Sequence, residues 1–146
     1  KPSSAASDVY KRQLVSEEYI EVSIDLYKLI AIRAESESGK IPSASISISI
    51  DGKEFSAKAD GGGPVDATFK AIESIVESKA ELLLFSVNNI TSGTDAQGEV
   101  TVRLSKGGRI VNGLGADTDI VIASAKAYLN ALNKLFSKLE RAHPQV

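Results

Sequence analysis

Two stretches place glycines immediately before a run that reads as a helix. In Asp60-Gly61-Gly62-Gly63-Pro64 three consecutive glycines lead into Val65, and Gly113-Leu114-Gly115-Ala116-Asp117-Thr118-Asp119 leads into Ile120. Glycines at a helix start let an anion approach exposed N–H groups at the positive end of the helix dipole. A phosphate loop would close with Gly-Lys-Ser/Thr, and Pro64-Val65 stands there instead. A dinucleotide fingerprint needs a βαβ crossover, whereas the strand before Gly61 returns from a hairpin. What remains is a tight structural turn or a site for a small carboxylate. At the second junction Asp117 or Thr118 is suited to cap the helix, and Asp119 favours the dipole from the first turn. These acids repel a phosphate but can hold an ammonium group. An amino acid, carrying both charges, therefore suits the two junctions better than a nucleotide.

Other reactive groups are sparse. The loop Thr91-Ser92-Gly93-Thr94-Asp95-Ala96-Gln97 is rich in short hydrogen-bonding side chains, a composition that turns commonly have. Asp95, Asp117 and Asp119 have turn or capping explanations, and no His or Glu joins them at ligand spacing, so no metal is expected. The one histidine, His143, reads as a solvated tail residue, and the chain has no cysteine. No nucleophile–base pair can be assembled, which disfavours an independent enzyme. A net charge of −2 counts against a nucleic-acid partner. No apolar run approaches the roughly 20 residues that span a bilayer. Lack of cysteine fits a reducing, cytoplasmic setting.

The elements that must position the glycine junctions follow from periodicity. Residues 1–13 have no hydrophobic period and read as an adapter-like segment; 14–26 form a lead-in or linker, and 143–146 a tail. Tyr27–Ala34 predicts a first strand. Ser43–Ile50 alternates Ile46, Ile48 and Ile50 with serines, the period of two of a half-buried antiparallel strand. Asp51-Gly52 predicts a hairpin turn, and Lys53–Asp60 the returning strand. A helix over about Val65–Glu77 then buries Ala67, Ala71, Ile72 and Ile75, with Pro64 tolerated at its first turn. The pattern starts again: strands over Glu81–Thr91, Glu99–Ser105 and Arg109–Leu114, then a long helix over about Asp119–Arg141. A stripe of Val121, Ala125, Leu129, Leu132 and Phe136 on that helix suits either core packing or a dimer seam.

Adding 56 to the numbering takes Ile46 to Val102, Ile48 to Leu104, Gly52 to Gly108, Val65 to Val121, Lys70 to Lys126 and Ala71 to Ala127. The chain thus reads as two βββα units over about 27–79 and 80–141, an α+β domain of two pseudo-twofold-related three-stranded antiparallel sheets with one helix each. A unit this small leaves a face unburied, so the halves pack on each other or on a second chain.

Three ordered motifs, Gly63-Pro64-Val65-Asp66-Ala67, Gly93-Thr94-Asp95-Ala96-Gln97 and Gly115-Ala116-Asp117-Thr118-Asp119-Ile120-Val121, resemble the C-terminal regulatory domain of 2-isopropylmalate synthase. The run Ala123–Asn133 resembles it too, and the likeness covers about Tyr27 to Leu139. Citramalate synthases carry a related domain. The resemblance implies two βββα units, a homodimer, and an end-product amino acid bound to inhibit a distant catalytic barrel. That effector is L-leucine for isopropylmalate synthases and L-isoleucine for regulated citramalate synthases. A divalent metal would belong to the barrel, so no cofactor is expected here. By motif, the resemblance places Gly61, Gly63, Val65 and Asp66 around the effector from the first helix start. It adds Leu82, Phe85 and Asn89 from the next strand, Ala96 and Gly98 after the serine/threonine loop, and Ile120 from the second helix start. A dimerisation domain without ligand is the competing reading. The sequence departs from the family pattern at Gly62 and in its long lead-in before Ser43.

Overall fold

A computed structural model describes residues 25–89 and 96–136. The adapter-like segment, the lead-in up to residue 24, Thr91–Asp95 of the polar loop, residues 137–141 of the predicted second helix and His143 lie outside the described residues. Eight elements follow in order: β1 (Tyr27–Glu35), β2 (Ser43–Ile50), β3 (Lys53–Asp60), α1 (Pro64–Val76), β4 (Glu81–Asn89), β5 (Gly98–Lys106), β6 (Arg109–Asp117) and α2 (Ile120–Phe136). β1-β2-β3 and β4-β5-β6 form separate antiparallel sheets, as the repeat requires.

The alternating residues of each central strand fix which face is buried. Ile46 and Ile48 on β2, and Val100, Val102 and Leu104 on β5, are wholly or almost wholly shielded. α1 lays Ala67, Phe69, Ala71 and Ile72 on the first sheet, and α2 lays a run of alanines and leucines on the second. These residues join in one apolar cluster spanning both units. Both tight turns use left-handed backbone, at Asp51 and Gly52 (φ 52° and 89°) and at Gly107 and Gly108 (φ 59° and 85°). That geometry matches the twist of the flanking strands.

The first strands depart from simple alternation. A bulge between Leu29 and Ala31 in β1 is repeated between Leu82 and Leu84 in β4. It puts Leu82 and Phe85, three residues apart, on the same face, opposite buried Leu104 and Val102. An extra residue in one strand of a pair does this. The matched bulges also show that β1 maps to β4 by 53 residues, not 56: Leu29 and Ile32 pair as Leu82 and Phe85 do. Between equivalent register pairs, Glu35–Ser43 and Asn88–Glu99, the connection from β4 to β5 is three residues longer than that from β1 to β2.

The second junction differs from the sequence reading. Gly113 and Gly115 lie inside β6, which continues to Asp117. They are not part of an anion-cradling loop; they let α2 approach. A Cβ on Gly113 would strike the Ala127 carbonyl and lie 2.5 Å from the Ala131 nitrogen.

The helices differ in length, and this decides what they cover. α1 stops at Val76, where Glu77 and Lys79 adopt left-handed backbone (φ 51° and 60°) and turn the chain into β4. α2 runs a further turn. Its Asn133 amide receives the Tyr27 N–H (2.7 Å) and donates to the Tyr27 carbonyl (2.9 Å), and Phe136 packs edge-on against the Tyr27 ring. Asn130 and Lys134 likewise satisfy the Leu114 N–H (3.0 Å) and Asn112 carbonyl on β6 (2.6 Å). The outer edges of β1 and β6 are thereby fastened to α2. Among the described residues no helix side chain is hydrogen-bonded to β4, and Leu82, Phe85 and Val87 remain 43%, 38% and 43% exposed on the side facing the helices.

Candidate functional site

At the first junction, Gly61 donates its N–H to the Pro42 carbonyl (3.0 Å), drawing β3 against the segment entering β2. A Cβ at Gly61 would sit 2.5 Å from the Ala67 nitrogen and 2.7 Å from the Asp66 carboxylate, so close packing requires glycine there. Gly63 is the residue before the helix, with extended backbone (φ −168°) and no side chain to cap it. Pro64 has no N–H. Ala67 bonds back to the Gly63 carbonyl (2.9 Å), which leaves the Val65 and Asp66 N–H groups as the uncapped donors of the first turn.

Asp66 turns its own carboxylate away from those donors. It accepts the Gly62 N–H (2.8 Å) and pairs with Lys70 (3.2 Å). The backbone donor first, and then the lysine, hold its carboxyl below the usual aspartate range. The second unit keeps the lysine but supplies the acid from the strand end. Lys126 pairs with Asp117 at 3.0 Å, and Asp117 also accepts the Asp119 N–H. That N–H, followed by Lys126, depresses the Asp117 pKa. A depressed carboxyl stabilises the fold above its unfolded pKa, and the gain is lost as pH falls through the folded value. Asp117→Asn should therefore flatten the acid limb of a pH–Tm profile below about pH 4. An unchanged limb would show the pair to be inconsequential.

The cap of α2 also corrects the sequence reading. Neither Asp117 nor Thr118 caps the helix: Asp119 does, its Oδ1 accepting the Val121 and Ile122 N–H groups at 2.8 and 3.4 Å. Consequently the two acids are not both available to an ammonium group, because Asp117 is neutralised by Lys126.

The remaining predicted residues fall into two groups. Gly98 lies beneath Ile120, where a Cβ would stand 2.5 Å from Cδ1, and Asn89 is its register partner across β4–β5. Ala96 is exposed just ahead of β5. Leu82 and Phe85 share the helix-facing side of β4, and Phe69 of α1 meets the Phe85 ring edge-on at 5.8 Å. Behind Phe69 lies Tyr128 (4.6 Å), whose hydroxyl donates to Glu73 (2.7 Å). Burial, and then that carboxylate, push the Tyr128 pKa up. Glu73 also holds Ser78 in the linker between the units, through both the Ser78 hydroxyl (2.6 Å) and N–H (3.0 Å). Phe69 and Tyr128 were not singled out by the sequence. Their apolar or amphipathic positions on a helix look like ordinary core.

The two helix starts adjoin. Pro64 faces Asp119, Val121 and Ile122 across a cleft of about 240 Å³, closed on the third side by Ile32, Ala34 and Ser36 of the β1 end. A larger depression, about 460 Å³, crosses the first sheet between β1, β2 and β3. It lies away from both helix starts, and much of its lining is short Ser and Ala side chains, so it offers little to grip a ligand. Among the described residues no cluster of three or more His, Cys, Asp or Glu could hold a metal, and no helix is long and apolar enough to cross a membrane.

The profile of the LeuA allosteric (dimerisation) domain matches residues 6–136, beginning inside the opening stretch set apart above. A 2-isopropylmalate synthase of Nitrosospira multiformis is 71% identical over 120 residues, 82% of this chain and 24% of its own length. Those of Nitrosomonas europaea and Thiobacillus denitrificans are 65% and 64% identical over 133 residues, 91% of this chain. The chain spans about a quarter (26%) of the length of these last two relatives.

Proposed function

We propose that this chain, which belongs to the LeuA allosteric (dimerisation) domain family, is the feedback sensor of a 2-isopropylmalate synthase and binds L-leucine. The observation that carries the reading is the uncapped start of α1. Val65 and Asp66 offer two N–H groups at the positive end of a helix, suited to a carboxylate. Val65, Phe85 and Ile120 supply apolar surface, and burying a leucine side chain contributes about 2–3 kcal/mol. The condensation of acetyl-CoA with 2-oxoisovalerate, and the divalent metal it uses, belong on this reading to a barrel outside the chain. The residues described here gather no set of ligands for that metal. Inhibition then requires leucine to favour one state of the whole enzyme over another.

The partner on this reading is a second copy, seated on the uncovered side of β4. Calorimetric titration of the chain with leucine, isoleucine, valine and lysine tests the effector. Saturable binding of leucine, with isoleucine weaker, is the expected result. Discriminating one methyl position contributes only about 1 kcal/mol unless the pocket clashes with it. Stronger binding of isoleucine would move the chain to a citramalate synthase. Binding of none would leave a dimerisation domain without a ligand, a reading favoured by the exposed apolar strand.

A further inference from the structure

The cleft between the helix starts has a counterpart in the other half of the chain. Ile32, Ala34 and Ser36 step by 53 to Phe85, Val87 and Asn89, and Pro64 steps by 56 to Ile120. In the opposite direction, Asp119, Val121 and Ile122 step back by 56 to Gly63, Val65 and Asp66. Six of these seven images are residues assigned above to the effector; Val87 is the exception. The cleft is therefore built from the same positions as the proposed effector site, taken from the opposite units. Its volume of about 240 Å³ is below the roughly 300 Å³ of pockets for drug-sized ligands, and suits something as small as an amino acid.

The twins differ in one chemical respect. On the β4 side, Gly63 leaves the Val65 and Asp66 N–H groups uncapped. On the β1 side, the equivalent N–H groups, of Val121 and Ile122, are both taken by the carboxylate of Asp119. The start of β1 is also held at Tyr27 by Asn133 and Phe136, while Leu82, Phe85 and Val87 of β4 stay partly exposed.

We propose that the β1-side cleft is a duplicate of the effector site kept shut by Asp119, whose carboxylate stands where the effector's carboxylate is held in the other half. It follows that each chain binds one effector and not two, and that the residue before each helix decides which half binds. This rests on the effector reading of the first helix start.

Equilibrium dialysis with labelled L-leucine, read as moles bound per chain, tests it. Wild type should bind one. Gly63→Asp should bind none and keep its Tm or raise it. The backbone there is extended and nothing lies within 4 Å of the new Cβ, so aspartate fits and supplies a cap. Asp119→Gly should bind two, and Asp119→Asn, which keeps the cap, should stay at one. Two per wild-type chain, one per folded Asp119→Gly chain, or unchanged affinity in Gly63→Asp would each overturn the proposal. Should Asp119→Gly fail to fold, the Gly63→Asp result decides alone. No binding by wild type would instead refute the effector reading itself.

Discussion

Gly113→Ala should destabilise the domain by on the order of 3 kcal/mol, the upper range for overpacking a core. The added methyl would meet helix backbone, the Ala127 carbonyl and the Ala131 nitrogen, and stand 2.8 Å from the Ala131 Cβ. None of these atoms can swing aside as the end of a long side chain can. Gly115, two residues on, meets the Ala123 carbonyl and the Ala127 nitrogen in the same way, so α2 lies on a glycine track in β6. The first unit has Ala57 and Ala59 at the equivalent positions of β3, opposite Ile46 and Ala44. α1 therefore tolerates the methyl that α2 does not. Urea unfolding at fixed protein concentration checks the figure, together with a fall in Tm of roughly 10 °C. Ala57→Gly is the control and should cost no more than about 1 kcal/mol. A Gly113→Ala loss below about 0.5 kcal/mol would mean that the helix shifts freely, and the close approach would then be incidental.

These glycines show how far a sequence can be read. The Ile/Ser alternation of β2, the Asp51-Gly52 turn and Pro64 opening α1 are local signals. Each has a physical cause within a few residues, and the structure keeps β2 and β3 at the predicted limits. Gly113 and Gly115 have no local signature of their role. Their backbones are not left-handed, and their need for a missing side chain comes from a helix some fifteen residues later in the chain. Adjacency to a helix start made them resemble a ligand loop. The bulges of β1 and β4 were also hidden, because an inserted residue breaks the period of two that reveals a strand. With them went the 53-residue step that relates the first strands.

The helix ends were only partly legible. Asp117, Thr118 and Asp119 are all capping types, and only the position of the first helical residue, Ile120, selects Asp119. The end of α1, by contrast, is legible to within one residue, at about Glu77 against Val76. Its end depends on left-handed backbone at Glu77 and on Glu73 gathering Ser78, both non-glycine features. Of the proposed effector constellation, the helix-start residues, Ala96 and Gly98 rest on motifs, whereas Leu82, Phe85 and Asn89 lie on a strand that carries none. Ile32, Ala34 and Val121 of the β1-side cleft are related to that constellation only once the two units are superposed through their strand register.

The partly exposed apolar face of β4 leads to the second large effect. Val87→Asp should convert the dimer expected from β4 into monomers, weakening association by about 100-fold or more. Val87 shares the helix-facing side of β4 with Leu82 and Phe85, opposite fully buried Val100. This strip extends the apolar core on the helix-facing side of β4, and water meets it directly. The sister strand β1 has the same plan, and its first residue, Tyr27, is held by Asn133 and Phe136 of α2. An exposed apolar edge strand is prone to association, and a second copy that seats on β4 removes the strip from water. A carboxylate placed there is left buried and unpaired, a penalty of about 3–5 kcal/mol, and 1.4 kcal/mol is tenfold in affinity. In the isolated chain residue 87 is 43% exposed, so the monomer should still fold with near wild-type circular dichroism. Sedimentation velocity over a concentration series separates the cases. A monomer with retained fold assigns the interface to β4, whereas an undiminished dimer would place it on another face, such as the outer side of the second sheet where Ile110 and Leu114 are exposed.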